Sequence, residues 1–190
     1  DALQVLMNVE GTAPDTPGLR EALRVAWGGF TAEEVMLYTF ARHDTPDLSV
    51  PTGYRLETVD RSNASLLTDF WKDEYRSHTI GDFIDVRDFL HNGFAAMVLH
   101  EASGRCVSAC ATISVSRERA DFGLETSPEH GGKGLAKACT ALAVRQPLRR
   151  GLRPVWLAQV DNIASRHVAT AVGFEPSQRF EILGHIEVGL

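Results

Sequence analysis

The chain has 190 residues, 44% of them apolar, and a formal net charge of -6. These values are typical of one globular domain with a proper core and room for a small accessory region. The acidic balance and the absence of a Lys/Arg block argue against a protein that binds nucleic acid through its phosphates. No apolar run approaches the roughly 18 residues that a membrane span needs, and the first ten residues lack the basic start of a signal peptide. We therefore expect a cytoplasmic protein that binds neither nucleic acid nor membrane.

The first fifty residues carry conflicting signals. Two segments resemble a strand and a helix, at Leu3–Val9 and Leu19–Trp27. Thr31–Glu34 has the form of a helix-capping box, whereas Val35–Phe40 is rich in strand-forming residues. A linker with two prolines and a glycine follows. We predict an N-terminal accessory region at residues 1–50 and a main domain at residues 51–190, with a boundary near Pro51.

From Gly53 onward the pattern is regular and predicts elements in the order β-α-α-β-β-β-α-β-α-β. The predicted segments are Tyr54–Val59, Arg61–Tyr75, Ile80–Leu90, Phe94–Glu101, Cys106–Ser116, Asp121–Ser127, Gly134–Arg149, Val155–Val160, a helix that begins after Asp161 or Asn162 and ends at Gly173, and Phe180–Val188. Tight turns between the three central strands make them antiparallel. The predicted fold class is α+β, a mixed and mainly antiparallel sheet with helices on both faces.

Two of these segments carry burial predictions. In Cys106–Ser116 apolar residues alternate with small polar ones, which predicts one buried face and one polar face. In the last helix, the stripe predicted to be buried consists of Ala164, Val168, Ala171 and Val172.

A glycine-rich loop separates the third central strand from the helix after it. Gly132 and Gly134 leave backbone N–H groups exposed around a space of phosphate size, at the positive end of a helix. The loop lacks the Walker pattern and the GxGxxG pattern of a parallel βαβ unit. On its own it is compatible with either a simple turn or an anion site.

The order of the motifs resembles the GCN5-related N-acetyltransferases (GNAT superfamily), and within them the branch of zwittermicin-resistance-type acetyltransferases. The resemblance covers about Gly53 to the C-terminus. The matching residues around the glycine loop, in the next strand and in the last helix are Glu125, Thr126, Pro154, Trp156, Asn162, Ser165, Gly173 and Phe174.

The resemblance implies acetyl-CoA, or another acyl-CoA, as co-substrate. The pyrophosphate would lie on the N–H groups of Gly132–Ala136, the pantetheine arm beside Asp121–Ser127, and the Thr126 N–H would face the thioester carbonyl. Asn162 and Ser165 would lie near the thiol, although a helix cap and an exposed serine explain them equally well. The implied cofactor-binding residues are Leu124, Thr126, Gly131, Gly132, Lys133, Gly134, Leu135, Ala136, Lys137, Asn162 and Ser165.

Two positions depart from the family pattern. Gly131 stands where relatives usually have an arginine or a similar residue, a loss for which Lys133 and Lys137, one helical turn apart, could compensate. Ala169 stands where many relatives have a tyrosine that protonates the leaving thiolate. Ser165, a water molecule, or no acid at all must then serve.

The family reaction also needs a base, because a lysine-like amine with a pKa of about 10.4 is mostly protonated. Asp121 and Glu125 lie four residues apart on one predicted strand and so share a face. Glu125 is the first candidate and Asp121 the second. His130 and His167 are more typical of surface or loop histidines.

Other chemistries have no support in the sequence. No cluster of His, Cys or Asp has metal-ligand spacing, so no metal is predicted. The three cysteines form no CxxC pair and are expected to be reduced. No GxSxG motif supports a hydrolase.

The leading hypothesis is therefore an acyl-CoA-dependent N-acyltransferase that acts on a small-molecule amine, as a monomer or homodimer. A catalytically weak or inactive CoA-binding module, or a protein-lysine acetyltransferase, remain the alternatives.

Overall fold

The computed structural model of the protein describes residues 30–75 and 81–185, and the segments predicted at Leu3–Val9 and Leu19–Trp27 lie outside this range. The strands are β1 Phe30–Phe40, β2 Tyr54–Thr58, β3 Ala95–His100, β4 Arg105–Val115, β5 Arg119–Thr126, β6 Arg153–Gln159 and β7 Phe174–His185. The helices are α1 Ala64–Tyr75, α2 Val86–Asn92, α3 Leu135–Arg149 and α4 Ile163–Val172. The predicted class, a mixed α+β fold with a mostly antiparallel sheet, is confirmed.

The strands of the described residues form one sheet in the order β2-β3-β4-β5-β6-β1-β7. All neighbours are antiparallel except β5 and β6, which run parallel. Parallel neighbours need a crossover connection, and α3 supplies it between these two strands. The single parallel pair thus brings the start of α3 to the C-terminal ends of β5 and β6.

The conflict between helix and strand signals around Thr31 is resolved in favour of a strand. β1 inserts between β6 and β7, and its Val35 and Tyr38 are buried. Burial of these strand formers outweighs the capping-box pattern, which is a weak local preference. Residues 30–40 therefore belong to the same sheet as the main domain, and the boundary predicted near Pro51 does not separate them. The predicted accessory role of the residues before β1 stays a prediction.

Helices cover both faces of the sheet. α3 and α4 pack on one face, where Phe122, Trp156 and Phe174 are buried. α1 and α2 pack on the other face, where their Leu67 and Phe89 are buried against the central strands. Because both faces are covered, the central strands are buried on both sides.

Because helices cover both faces of the sheet, the prediction that β4 has one buried face and one polar face needs correction. Its expected polar face is buried, and Ser108 and Thr112 are almost inaccessible to solvent. Their hydroxyl groups are paired inside the protein: Ser108 Oγ lies 2.7 Å from Thr126 Oγ1, and Thr112 Oγ1 accepts from Phe94 N at 3.0 Å. The alternation of residue types is real, but it reflects small side chains under α3 and not contact with water.

Other boundaries also differ from the predictions. α2 begins at Val86, whereas the predicted helix began at Ile80, and Asp85 caps it by accepting from Asp88 N at 2.8 Å. The buried stripe of α4 consists of Val168, Ala169 and Val172, whereas Ala164 is exposed. β7 begins at Phe174, directly after Gly173, because it pairs with β1 from that residue on.

Candidate active site

A gap opens between the parallel strands β5 and β6. The two strands pair from Arg119 with Arg153 to Phe122 with Trp156, and no further. Beyond this point β5 stays with β4 as far as Thr126, and β6 stays with β1 as far as Gln159. Each strand therefore presents one edge whose backbone groups have no strand partner within residues 30–75 and 81–185.

The register shows which backbone groups point into this gap. Ser127 N donates to Val107 O at 2.9 Å, so alternate residues of β5 bond to β4 and the residues between them face β6. Leu124 and Thr126 are the residues that face the gap. On β6, Val160 N donates to Glu34 O of β1 at 2.9 Å, so alternate residues of β6 bond to β1. The residues between them, Leu157 and Gln159, face the gap.

The glycine loop continues directly from this edge. A short 3₁₀ turn, Pro128–His130, leads to Gly132 and Gly134, which have φ values of 73° and 80°. A Cβ atom at either glycine would meet no atom within 4 Å, so both face open space. Among the described residues no backbone or side-chain oxygen accepts from the N–H groups of residues 132–137. The predicted loop residues, from Gly131 to Lys137, thus lie together at the start of α3.

The cations of the loop are arranged differently from the expectation. Lys133 Nζ donates to the backbone oxygen of Glu129 at 2.9 Å, so it is folded back on the 3₁₀ turn. Lys137 lies in the first turn of α3 and is partly buried. Gly131 has backbone angles of the extended region and takes no part in a positive-φ turn. An anion at this loop would therefore face mainly backbone N–H groups and the positive end of α3.

Asn162 and Ser165 form the start of α4. Asn162 is the N-cap, and its Oδ1 accepts from Ser165 N at 3.0 Å. Ser165 Oγ accepts from Trp156 Nε1 at 2.9 Å. A hydroxyl group has one donor and two acceptor positions, so this bond leaves the Ser165 hydrogen available to donate elsewhere. The cap explanation of Asn162 is confirmed, and Ser165 is oriented by the buried indole.

Ala169 is fully buried in the α3–α4 core. The position where the resemblance implies a tyrosine is therefore occupied by a small core residue that has no acidic proton.

Asp121 and Glu125 share one face of β5, as predicted. Glu125 pairs with Ala109, which packs in the α1–α2 cluster, so both carboxylates lie on the sheet face opposite α3. Asp121 Oδ1 accepts from Phe122 N at 2.9 Å. Burial raises the pKa of Asp121 to about 7, although this hydrogen bond lowers it. The negative charge of Asp82 also raises the pKa.

Asp82 is a residue that sequence reasoning missed. No sequence motif links Asp82 to Asp121, and the sequence pattern predicts that Asp82 lies inside a helix. In the structure it lies in the turn before α2, and its N–H donates to Ile113 O at 2.8 Å. The preceding Gly81, a residue that favours turns, was the available signal that the helix begins later.

The two histidine candidates have different surroundings. His130 Nδ1 lies 2.9 Å from Tyr54 Oη, and its ring packs 5.0 Å from that of His100. This contact ties the 3₁₀ turn to β2. His167 is exposed on α4. His130 lines a cavity together with Phe70 of α1 and Cys106 of β4.

The described residues include neither a membrane-spanning helix nor a cluster of metal ligands. No helix there is long and apolar enough to cross a membrane. No group of three or more His, Cys, Asp or Glu residues in that part of the chain could hold a metal ion.

A protein-family comparison identifies the class to which this fold and this loop belong. The family model described as GNAT acetyltransferase matches residues 34–183. The chain therefore belongs to the GNAT acetyltransferase family. The finer placement in the zwittermicin-resistance-type branch stays a prediction.

Individual relatives are similar to this chain at low identity. The uncharacterized N-acetyltransferase YdfB of Bacillus subtilis (strain 168) is 27% identical over 135 residues, which are 71% of this chain and 49% of the relative. The chain thus spans about half the length of this curated relative.

Solved structures show the same fold. A GCN5-related N-acetyltransferase-like protein from Streptococcus suis 89/1591 superposes with a TM-score of 0.67 at 22% identity, covering 96% of this chain and 75% of that one. A GCN5-related N-acetyltransferase from Kribbella flavida gives a TM-score of 0.60 at 18% identity, covering 89% and 64%.

Proposed function

We propose that this chain is an acyl-CoA-dependent N-acyltransferase that uses acetyl-CoA as donor and the amine of a small molecule as acceptor. The observation that carries the proposal is the continuity between the β5–β6 gap and the glycine loop. A strand edge with unpaired peptide groups leads directly into a row of backbone N–H groups that have no acceptor among the described residues. A ligand with amide groups at one end and phosphates at the other matches this arrangement.

The residues present fit the two parts of CoA. The pyrophosphate would be held by the N–H groups of Gly132–Ala136, because the open space above both glycines admits it and the helix end favours negative charge. The pantetheine amides would pair with the peptide groups of Leu124, Thr126, Leu157 and Gln159. When bound, acyl-CoA supplies an activated acyl group as a thioester.

The gap geometry changes the assignment of the oxyanion donor. Leu124 presents the first N–H beyond the last β5–β6 pair, and it lies closer along β5 to Asp121 than Thr126 does. We therefore assign the Leu124 N–H to the thioester carbonyl and the Thr126 N–H to the pantetheine arm. A backbone donor held in a strand is preorganised for the charge that develops on that oxygen.

Asp121 replaces Glu125 as the first candidate for the base. A base works best when its pKa lies near the working pH, and the raised pKa of Asp121 meets this condition. The proton of the acceptor ammonium passes to Asp121, and the nitrogen lone pair then attacks the thioester carbon. The C–S bond then breaks, and the second proton of the nitrogen reaches the thiolate sulfur through Ser165 or water. Glu125, further toward the loop, is assigned to acceptor contact.

A second function is favoured by a specific observation. Ala169 is buried where relatives carry an acid, and Gly131 lacks the usual cation. A protein that binds CoA through the loop but transfers acyl groups slowly would have these features. In that case the Asp121 carboxyl would have no catalytic role in this protein.

The test combines binding with turnover. Calorimetry with acetyl-CoA measures its binding to the loop. Thiol release in the presence of a panel of small amines measures acyl transfer. We expect Asp121→Asn to lower kcat/KM by roughly 10²-fold or more, which is typical of a lost general base, and Glu125→Gln to lower it by roughly tenfold or less. Glu101→Gln, in the exposed β3–β4 hairpin, is the control for a lost carboxylate.

The outcomes separate the two functions. Tight binding of acetyl-CoA without thiol release for any amine would support the binding module. Release that is equally fast in the Asp121→Asn variant would remove Asp121 as the base.

A further inference from the structure

The turn before α2, which contains Gly81 and Asp82, is hydrogen-bonded to β4 at Ile113, where the pairing of β4 with β5 is irregular. We call this contact the clamp. The β4–β5 register shifts between Thr112 and Ser114, so Ile113 has no partner on β5. Its carbonyl oxygen accepts from Asp82 N at 2.8 Å. Such β-bulges are over-represented beside active sites, where they re-aim side chains.

Gly81 makes this clamp possible. It has a φ of 57°, and a Cβ atom there would lie 2.1 Å from Ile113 O. No side chain fits into that distance without moving the backbone. Gly81 therefore allows the turn to approach β4 closely, and the approach sets the position of Asp82.

The clamp brings Asp82 to the side of Asp121. Ser114, the next residue after the bulge, pairs with Asp121 across β4 and β5. The backbone of Asp82 is hydrogen-bonded to the residue before Ser114, so it lies beside β4, the strand next to β5, and the charge of Asp82 acts on Asp121. The described residues that face or neighbour Asp121 are Arg119, Gly123 and Glu125 on β5, Ser114 on β4, Val155 on β6 and Asp82 in the turn.

We propose that Asp82 is a positioning residue for proton transfer, held on the β4 bulge by Gly81 so that Asp121 accepts the proton of the acceptor ammonium efficiently. The inference rests on the proposed function. The proton moves from the acceptor nitrogen to a carboxylate oxygen of Asp121, and Asp82 takes no proton itself. Its negative charge makes the protonated form of Asp121 more favourable, so Asp121 is a stronger base than burial alone would make it.

The first experiment is the pH dependence of kcat/KM. Asp82→Asn keeps the backbone bond to Ile113 O but removes the charge. We expect the acidic limb of the profile to move to lower pH by roughly 0.5 pH unit, as expected for a like charge near the surface, and the plateau to fall. Asp82→Glu should return the acidic limb of the kcat/KM profile to its wild-type pH. Asp69→Asn, an exposed carboxylate on α1, should leave it unchanged.

A second readout does not depend on turnover. Carbon-13 NMR of the aspartate carboxyl groups, with the Asp121 signal assigned from Asp121→Asn, follows the titration of Asp121 directly. The Asp121 titration should move to lower pH in Asp82→Asn and stay in place in Asp69→Asn. Gly81→Ala should move it in the same direction if the variant folds.

The results overturn the inference and the proposed function separately. An unchanged Asp121 titration in Asp82→Asn overturns the positioning role, whatever the activity. Absence of thiol release from wild-type protein with every amine overturns the proposed transfer, while the NMR titration still decides whether Asp82 acts on Asp121.

Discussion

Replacement of Asp121 by asparagine should stabilise the protein while it lowers activity. The Asp121 carboxyl is partly buried, and burial raises its pKa from 3.8 to about 7. A raised pKa means that the folded state holds a proton that the unfolded state releases. Asparagine has nearly the same shape, can still accept from Phe122 N, and never carries the charge.

The sign and size of the effect follow from linkage. Below about pH 4 the carboxyl is protonated in both states and costs nothing. As the pH rises to about 7 the wild-type free energy of unfolding falls, and above that it stays constant. The difference between the two pKa values corresponds to about 4 kcal/mol at most, and contact with solvent reduces this. We expect Asp121→Asn to be more stabilising at pH 8 than at pH 5.5 by about 2 kcal/mol.

Urea unfolding at the two pH values measures this difference. Asp60→Asn is the matched control with the opposite sign, because hydrogen bonds from Ser62 lower the pKa of Asp60. Its replacement should destabilise the protein at neutral pH and have less effect as the pH falls through the lowered pKa. An equal stability change for Asp121→Asn at both pH values would refute the assignment of a raised pKa to this carboxyl.

Three further outcomes test other parts of the site. Gly132→Ala should raise the Kd for acetyl-CoA about tenfold, or about 1.4 kcal/mol, because a methyl group enters the proposed phosphate space. Gly104→Ala, with a φ of 66° and equal open space in the β3–β4 turn, outside the glycine loop, should leave this Kd unchanged in calorimetry. Ser165→Ala should lower the free energy of unfolding by about 1–3 kcal/mol, since the Trp156 N–H loses its acceptor, and Ser165→Thr should lower it less. Burial raises the pKa of all three cysteine thiols, so the native protein should show no fast reaction with a thiol reagent, and all three should react in denaturant; a fast native thiol would contradict their burial.

Features encoded by neighbouring residues were predictable from sequence. The glycine loop, the Asn162 cap and the stop at Gly173 each depend on a few adjacent residues and their backbone preferences. The element order from β2 onward follows from local periodicity in the same way. The shared face of Asp121 and Glu125 needed only the two-residue period of a strand.

Features that depend on distant contacts were not predictable. Nothing within β1 indicates that it inserts between β6 and β7, since that position depends on pairs more than a hundred residues away. The burial of Ser108 depends on the helices that cover both faces. The position of Asp82 could not be predicted because it depends on a β-bulge at Ile113, and a bulge leaves no mark in the alternation of residue types.

Two irregularities in the pairing of β5 with its neighbouring strands would allow this strand to contact both proposed substrates. On the β6 side, loss of pairing after Phe122 exposes peptide groups in the plane of the sheet, which suits an extended cofactor arm. On the β4 side, the bulge at Ile113 brings a second carboxylate to Asp121 on the α1–α2 face. Because strand side chains alternate across the sheet, the proposed proton acceptor, Asp121, and the proposed oxyanion donor, the Leu124 N–H, come from residues an odd number apart. An acceptor approaching from the α1–α2 face and a donor lying in the gap would therefore meet at the point where β5 leaves β6.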